Sequence, residues 1–222
     1  LKTKKDIEMA SAEIKSLNQL FKTELNKNEW EVHLIATDTV LSRLAAEIIR
    51  DTLADKYRVH FEADGIPSDV IPGLQIFDRK EFEKEGLVNL LNRLENLTNS
   101  FYRKTVLNIT GGYKALIPFL TIIAQIKNIP LFYIFEDTEE LIKIPQVPIT
   151  INWGMFEKYG DVLKDLQNGI MDFESYKREK QIHSDFSACI WEEEGMAELN
   201  AIGHLFYNIY QQFLMVYVLQ NG

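Results

Sequence analysis

Between Glu31 and Phe135 short β-prone apolar runs alternate with longer stretches of helical periodicity, and that order leaves few folds open. Val32 to Ala36, Tyr57 to Phe61, Thr105 to Ile109 and Leu131 to Phe135 read as strands. Val40 to Ala54, Arg79 to Leu97 and Ala115 to Lys127 read as helices. Strand, helix and strand in repetition predict an α/β fold with a doubly wound, mainly parallel Rossmann-like sheet covered by helices on both faces. Such sheets receive ligands beyond the C-terminal ends of their strands. Two turns therefore stand out, "ATDTVLS" after the first strand and "ITGGYKA" after the third.

Ahead of this core, Ile7, Ala10, Ile14, Leu17 and Phe21 recur at spacings of three and four. The pattern predicts an amphipathic helix from about Asp6 to Leu25, used for packing either within the chain, the favoured reading, or across a dimer. Behind the core, Leu141 to Ile144 and Pro148 to Asn152 suggest a hairpin finishing the sheet. Gly154 to Gly222 reads as mostly helical, with Met196 to Leu219 its longest piece. The expected organisation is an N-terminal helix over 1–30, a Rossmann-like domain over 31–152 and a C-terminal helical region over 153–222.

Of the 222 residues, 46% are hydrophobic, enough for a sizeable core. No apolar run approaches the roughly 20 residues needed to span a bilayer. The sequence opens on Leu1 instead of a methionine, so this expectation extends only to the residues given. The one cysteine, Cys189, rules out an internal disulfide and fits a reducing cytoplasm; it reads as a small buried hydrophobe. The four histidines, His33, His60, His183 and His204, are scattered with no pair at metal-ligand spacing, so no zinc site is expected. The formal net charge is -9, and residues 153–222 hold 5 Lys+Arg against 11 Asp+Glu. An acidic C-terminal region is poorly suited to gripping duplex DNA, so any nucleic-acid ligand should be small and held locally.

In the third-strand turn, Thr110 is placed to cap the following helix, while Gly111 and Gly112 let the backbone approach a ligand and turn amide hydrogens outward. That combination makes an anion site at a helix N-terminus, with Lys114 adding a mobile positive charge; the alternative is a tight strand-to-helix connection with Lys114 a solvated surface residue. Neither the Walker A pattern nor the dinucleotide G-x-G-x-x-G is present, so no common nucleotide cofactor is expected. In the first-strand turn, Thr37, Asp38, Thr39 and Ser42 supply three hydroxyls and a carboxylate. At least one of them caps the helix that follows, and the set also suits sugar hydroxyls and phosphate oxygens. Glu136 and Asp137 follow the fourth strand and either border the same pocket or simply begin the hairpin turn. The triplet Glu192, Glu193 and Glu194 reads as a solvated face, and Trp191, Phe206, Tyr207, Tyr210 and Phe213 read as packing.

The segments "VHLIATDTVLSRLAAEII", "GLQIFDRKEFEKEGLVNLL", "VLNITGGYKALIPFLTIIAQ" and "PLFYIFEDTEELIKIPQVPI", in this order, resemble the CRISPR-associated Rossmann-fold (CARF) domain, in particular its ring-nuclease branch. The resemblance covers about residues 31–152. It implies a homodimeric sensor of cyclic oligoadenylate, a tetra- or hexa-adenylate ring, in type III CRISPR antiviral signalling, regulating an attached or associated effector. It also implies that Thr37, Asp38, Thr39 and Ser42 form one ligand loop and Thr110, Gly111, Gly112 and Lys114 the other, with both loops of two subunits surrounding one ring. Some members of that family cut their ligand without a metal, leaving a 2′,3′-cyclic phosphate. In such a role Lys114 would stabilise phosphoryl charge and Thr39 or Thr37 would align the attacking hydroxyl. Sensor, ring nuclease and, less favoured because of the acidic C-terminal region, a CARF-type transcription factor all remain open at this level.

Overall fold

The computed structural model describes residues 11–26, 29–98, 102–135, 138 and 140–221, with side chains described up to 211. Ile7, Ala10, Glu136 and Asp137 lie outside the described residues. The chain divides into two units, Leu1–Gln75 with Asn92–Ile149 and Ile76–Leu91 with Thr150–Gly222.

The first unit is α/β. Helix α1 (Ala12–Thr23) is capped by Ser11, whose hydroxyl accepts from the Ile14 N–H. Its buried Ile14 and Leu17 pack with Val32, Ile49 and Leu53, so the amphipathic N-terminal stretch does pack within the chain. Strand β1 (Glu31–His33) pairs in parallel with β3 (Arg58–His60), and β2 (Ala36–Thr37) pairs in parallel with β4 (Val70–Ile71). Helix α2 (Val40–Leu53) joins the two pairs. The single strand expected over Val32 to Ala36 is thus one extended run that changes partner midway. The second partner, β4, is too short to announce itself in the sequence.

What makes that change of partner work is Asp69. Its carbonyl accepts from the Ala36 N–H at 2.8 Å, its N–H donates to the Glu62 carbonyl at 2.9 Å, and its Oδ2 accepts from the Glu62 N–H at 2.7 Å. The loop from Glu62 to Asp69 is closed at its base by these bonds. The other carboxylate oxygen receives Arg93 Nε and Nη2 at 2.9 and 2.6 Å. Asp69 is only 2% exposed, so its charge is tolerable only because it is paired and fully hydrogen-bonded.

Arg93 lies on α4 (Leu87–Thr98), which continues a one-turn helix α3 (Arg79–Glu81) through a π-helical turn, Phe82–Gly86. One helix was expected over Arg79 to Leu97; the wider turn interrupts it. The third sheet has the order β5 (Leu107–Asn108), β6 (Leu131–Ile134) and β7 (Leu141–Ile144), parallel then antiparallel. Helix α5 (Leu116–Lys127) connects β5 to β6 and ends on left-handed Asn128. The hairpin partner of Leu141 to Ile144 is therefore β6 and not Pro148 to Asn152. Pro145 and Pro148 have no N–H to offer a ladder, and Gln125 instead ties this segment down, donating to the Pro145 carbonyl and accepting from the Val147 N–H. Among the described residues the strands form separate small sheets.

The second unit is largely helical, but it also holds a strand hairpin where the expected long helix from Met196 would have begun. Helices α6 (Trp153–Lys158), α7 (Gly160–Gln167) and α8 (Phe173–Glu179) lead into a 3-10 turn and an antiparallel hairpin, β8 (Ile190–Glu193) and β9 (Met196–Leu199), before α9 (Ala201–Asn221). Met196 to Leu199 are good helix formers, but Glu194 and Gly195 both take positive φ, 48° and 80°. That two-residue turn folds the run back as a strand. Asn200 then starts α9, its Oδ1 accepting from the Gly203 N–H. Phe206, Tyr207 and Tyr210 pack against a core that includes Phe156, Leu163 and Phe186, as read from the sequence. Cys189 is buried, and burial pushes its thiol up to about 11. Glu192 and Glu194 are exposed, while Glu193 pairs with Lys80 of the same unit.

Two consequences for stability are testable. Asp69→Ala strands a buried guanidinium and the Glu62 N–H, so urea unfolding should show a loss of about 3–5 kcal/mol; an unchanged midpoint would mean the pair holds nothing together. A Cβ on Gly203 would run into the Cys189 carbonyl. Gly203→Ala should therefore cost about 1–3 kcal/mol in the same measurement, the usual range for overpacking.

Candidate anion-binding site

Both sequence-predicted turns follow strands of the first unit, but they use their side chains differently. In the first turn the hydroxyls are consumed locally. Thr39 is the N-cap of α2, its Oγ1 accepting from the Ser42 N–H at 3.2 Å. The Ser42 hydroxyl accepts from the Thr37 N–H at 3.0 Å, and Thr37 Oγ1 lies 3.4 Å from Thr39 Oγ1. Thr37 is buried. Asp38 anchors the neighbouring turn: its N–H donates to the Leu74 carbonyl at 3.1 Å and its Oδ2 accepts from the Gly73 N–H at 3.0 Å. Of the four residues, Asp38 is the exposed one.

The second turn is built in the opposite way. Thr110 does not cap α5, because that helix starts only at Leu116, with Ala115 before it and no side-chain cap. Its hydroxyl serves the strands instead, donating to Asn108 Oδ1 at 2.7 Å and accepting from the Ile134 N–H at 3.0 Å. Gly112 takes φ +94°, with open space where a Cβ would stand. Among the described residues no hydrogen bond takes up the backbone N–H groups of Gly111, Gly112, Tyr113, Lys114 or Ala115. Lys114 is exposed, and no ion pair among the described residues uses it. Successive unpaired N–H groups beside a free ammonium favour an anion, the helix dipole adding to the effect. No hydrogen bond or ion pair among the described residues joins the two turns to each other.

One residue of this site escaped the sequence reading. Asn108 Nδ2 donates to Ser16 Oγ at 2.7 Å, which docks α1 beside β5. Ser16 is fully buried. This docking sets the Glu13 side chain against Gly111, where it fills the space a Cβ would need. Its carboxylate accepts from Ser11 at 2.7 Å. A negative charge therefore already lies against the amide-lined turn, and an anionic ligand must displace it. No pattern in the sequence relates residues 13 and 111, which meet only through the fold.

The histidines also depart from the reading given above. His33 and His60 are not scattered: the β1–β3 register sets them side by side, rings stacked with centroids 4.8 Å apart. Burial, then the His60 charge, lowers the His33 pKa from its ordinary value.

The fold and site define an α/β protein with an exposed glycine turn and lysine beyond a parallel strand. A family model described as CRISPR-associated protein (Cas_APE2256) matches residues 8–147, well over half of the chain. The protein belongs to this CRISPR-associated family. The match takes in α1 as well as the α/β segments, so the helix that carries Glu13 is part of the family unit. Among the described residues no helix is long and apolar enough to cross a membrane.

The contrast between the turns can be measured. Thr39→Ala should lower stability by about 1 kcal/mol, as loss of an N-cap does. Lys114→Ala should leave the urea midpoint where it was. A Lys114 variant that unfolds as early as the Thr39 variant would make the lysine structural.

Proposed function

We propose that this chain is a cyclic oligoadenylate sensor of type III CRISPR signalling, built on a CARF-type doubly wound sheet and acting as a homodimer that regulates an attached or associated effector. The observation that carries the reading is the Gly111 to Ala115 run of unpaired N–H groups with exposed Lys114 at its mouth, in a chain of a CRISPR-associated family. A ring of phosphates supplies repeated anions at fixed spacing, and one such turn per subunit meets half of them. A two-fold protein matches a ring of two-fold symmetry.

Helix α2 supports pairing. Val40, Leu41, Leu44 and Ile48 are 82%, 79%, 49% and 42% exposed, and they fall on one face of a helix that starts at the first turn. Apolar surface of that kind is costly in water, and a second copy covering it would bring two sets of turns together. The Lys80 and Lys84 side chains pair with Glu193 and Glu198, and the hairpin tip carries Glu192 and Glu194. This arrangement suits a grip on duplex phosphates poorly.

Binding is favoured over cutting because Thr39 and Thr37 already hold the first turn together and are not free to orient a ribose hydroxyl. Metal-independent ring cleavage would rest on Lys114 and the turn amides.

Calorimetry with cyclic tetra- and hexa-adenylate should give one ring per two chains. Lys114→Ala should weaken binding about 10- to 100-fold, the effect of losing a hydrogen bond to a charged group. Glu13→Gln should tighten it about threefold to tenfold, since one unit charge at about 4 Å carries roughly 1 kcal/mol even in water. Failure of both rings to bind, or binding indifferent to Lys114, would refute the sensor reading. Products with 2′,3′-cyclic phosphate ends, formed in the presence of EDTA, would move the protein to the ring nucleases.

A further inference from the structure

The geometry points to a divalent metal site of the zinc class at the N-terminal end of the first strand, formed by Glu31, His33 and His60. Its basis is the sheet. Residues two apart on a strand share a face, which puts Glu31 and His33 on one side of β1. The parallel register opposes His33 to His60 and Glu31 to Arg58. The three donors are therefore brought together by backbone pairing and do not depend on a flexible loop.

The donor atoms converge. His60 Nε2 lies 3.4 Å and His33 Nε2 4.0 Å from the same oxygen, Glu31 Oε2. All three ligand atoms fall within 4.8 Å of one another. Tetrahedral zinc with bonds of about 2.0–2.1 Å holds its ligands about 3.3 Å apart. The His60 to Glu31 separation already matches, and a side-chain adjustment must bring His33 closer by roughly 0.7 Å to Glu31 and by up to roughly 1.5 Å to His60. Two imidazoles and one carboxylate are donors that suit zinc, nickel or copper over magnesium or calcium.

The remaining carboxylate oxygen is held by Arg58, whose Nη1 is 3.0 Å from Glu31 Oε1. This contact fixes the carboxylate orientation and leaves Oε2 for the ion, as outer-shell partners of metal ligands do. The side chains of His33, His60 and Glu31 are 38%, 50% and 42% exposed, so an ion can enter and water can complete its coordination. The site lies away from the first turn: His33 precedes Thr37 by four residues, about 13 Å at the rise of a strand.

Calorimetric titration of the full chain with zinc chloride, and of the same protein with cobalt(II) followed by visible absorption, tests the assignment. One ion per chain is expected, with a cobalt d–d spectrum indicating four or five ligands including imidazole nitrogen. His60→Gln and Glu31→Gln should each weaken zinc more than tenfold and abolish the cobalt spectrum. Their thermal unfolding without metal should be unchanged, because the side chains are exposed. His183→Gln is the control: His183 sits beside Asp185 at 3.3 Å on the surface and offers the alternative imidazole–carboxylate pair. Absence of zinc binding in the wild type overturns the proposal. So does binding that survives His33→Gln/His60→Gln, or that disappears with His183→Gln. None of these results bears on the cyclic oligoadenylate reading, which calorimetry with EDTA present tests independently.

Discussion

The ion pair between Asp69 and Arg93 sets the position of the first turn in the first unit. A strand that changes partner between His33 and Ala36 needs its second partner delivered at the right height, and the loop from Glu62 to Asp69 must be closed to deliver it. Asp69 does both with its backbone and carboxylate, and Arg93 supplies the charge that makes a buried carboxylate tolerable. The end of that strand carries Thr37 and Asp38, so the position of the first turn depends on an arginine more than 50 residues away in sequence. A hydrophobic pair of similar volume could stabilise as well, but it could not take up the Glu62 N–H.

The two turns show how similar sequence signals separate in three dimensions. Thr37, Thr39 and Ser42 bond to one another, while Asp38 is tied to Gly73 and Leu74 of the neighbouring turn. This makes the turn rigid and leaves little for a ligand beyond the Asp38 surface. Gly111 to Ala115 leave their amides open, since α5 begins without a side-chain cap. Uncapped amides carry a cost unless water or an anion meets them. The Glu13 carboxylate lies against the same turn, and an entering anion would exchange that contact for its own. Displacement of one carboxylate by a phosphate is a way of making binding depend on the charge of the ligand.

Much of the architecture was legible. The alternation of runs marks β1, β3, β5 and β6 and the helices α2 and α5, because long periodic segments survive their context. The errors share a cause. Strand β4 has two residues and exists only because Asp69 holds it against β2. Met196 to Leu199 favour helix locally, and a Glu-Gly turn overrides that preference by giving them a strand to pair with. The partner of β7 was misassigned because Pro148, with no N–H, was counted as a strand residue. In the site, Gly111, Gly112 and Lys114 could be picked from the letters. The real tasks of Thr110 and Thr39 could not, since a hydroxyl has several partners within reach and only the folded geometry selects one.

By itself, then, the sequence determined the α/β order of the first unit, the glycine turn after a parallel strand and the burial of Cys189, all properties of residue type and local spacing. Tertiary structure alone decided which groups at those turns remain free. It also decided that Glu13 meets Gly111 and that His33 meets His60 beside Glu31. The reason is that such meetings depend on strand register and helix docking. A shift of one residue in the β1–β3 pairing would turn the histidines to opposite faces, with no change in any local pattern that a reader of the sequence could see.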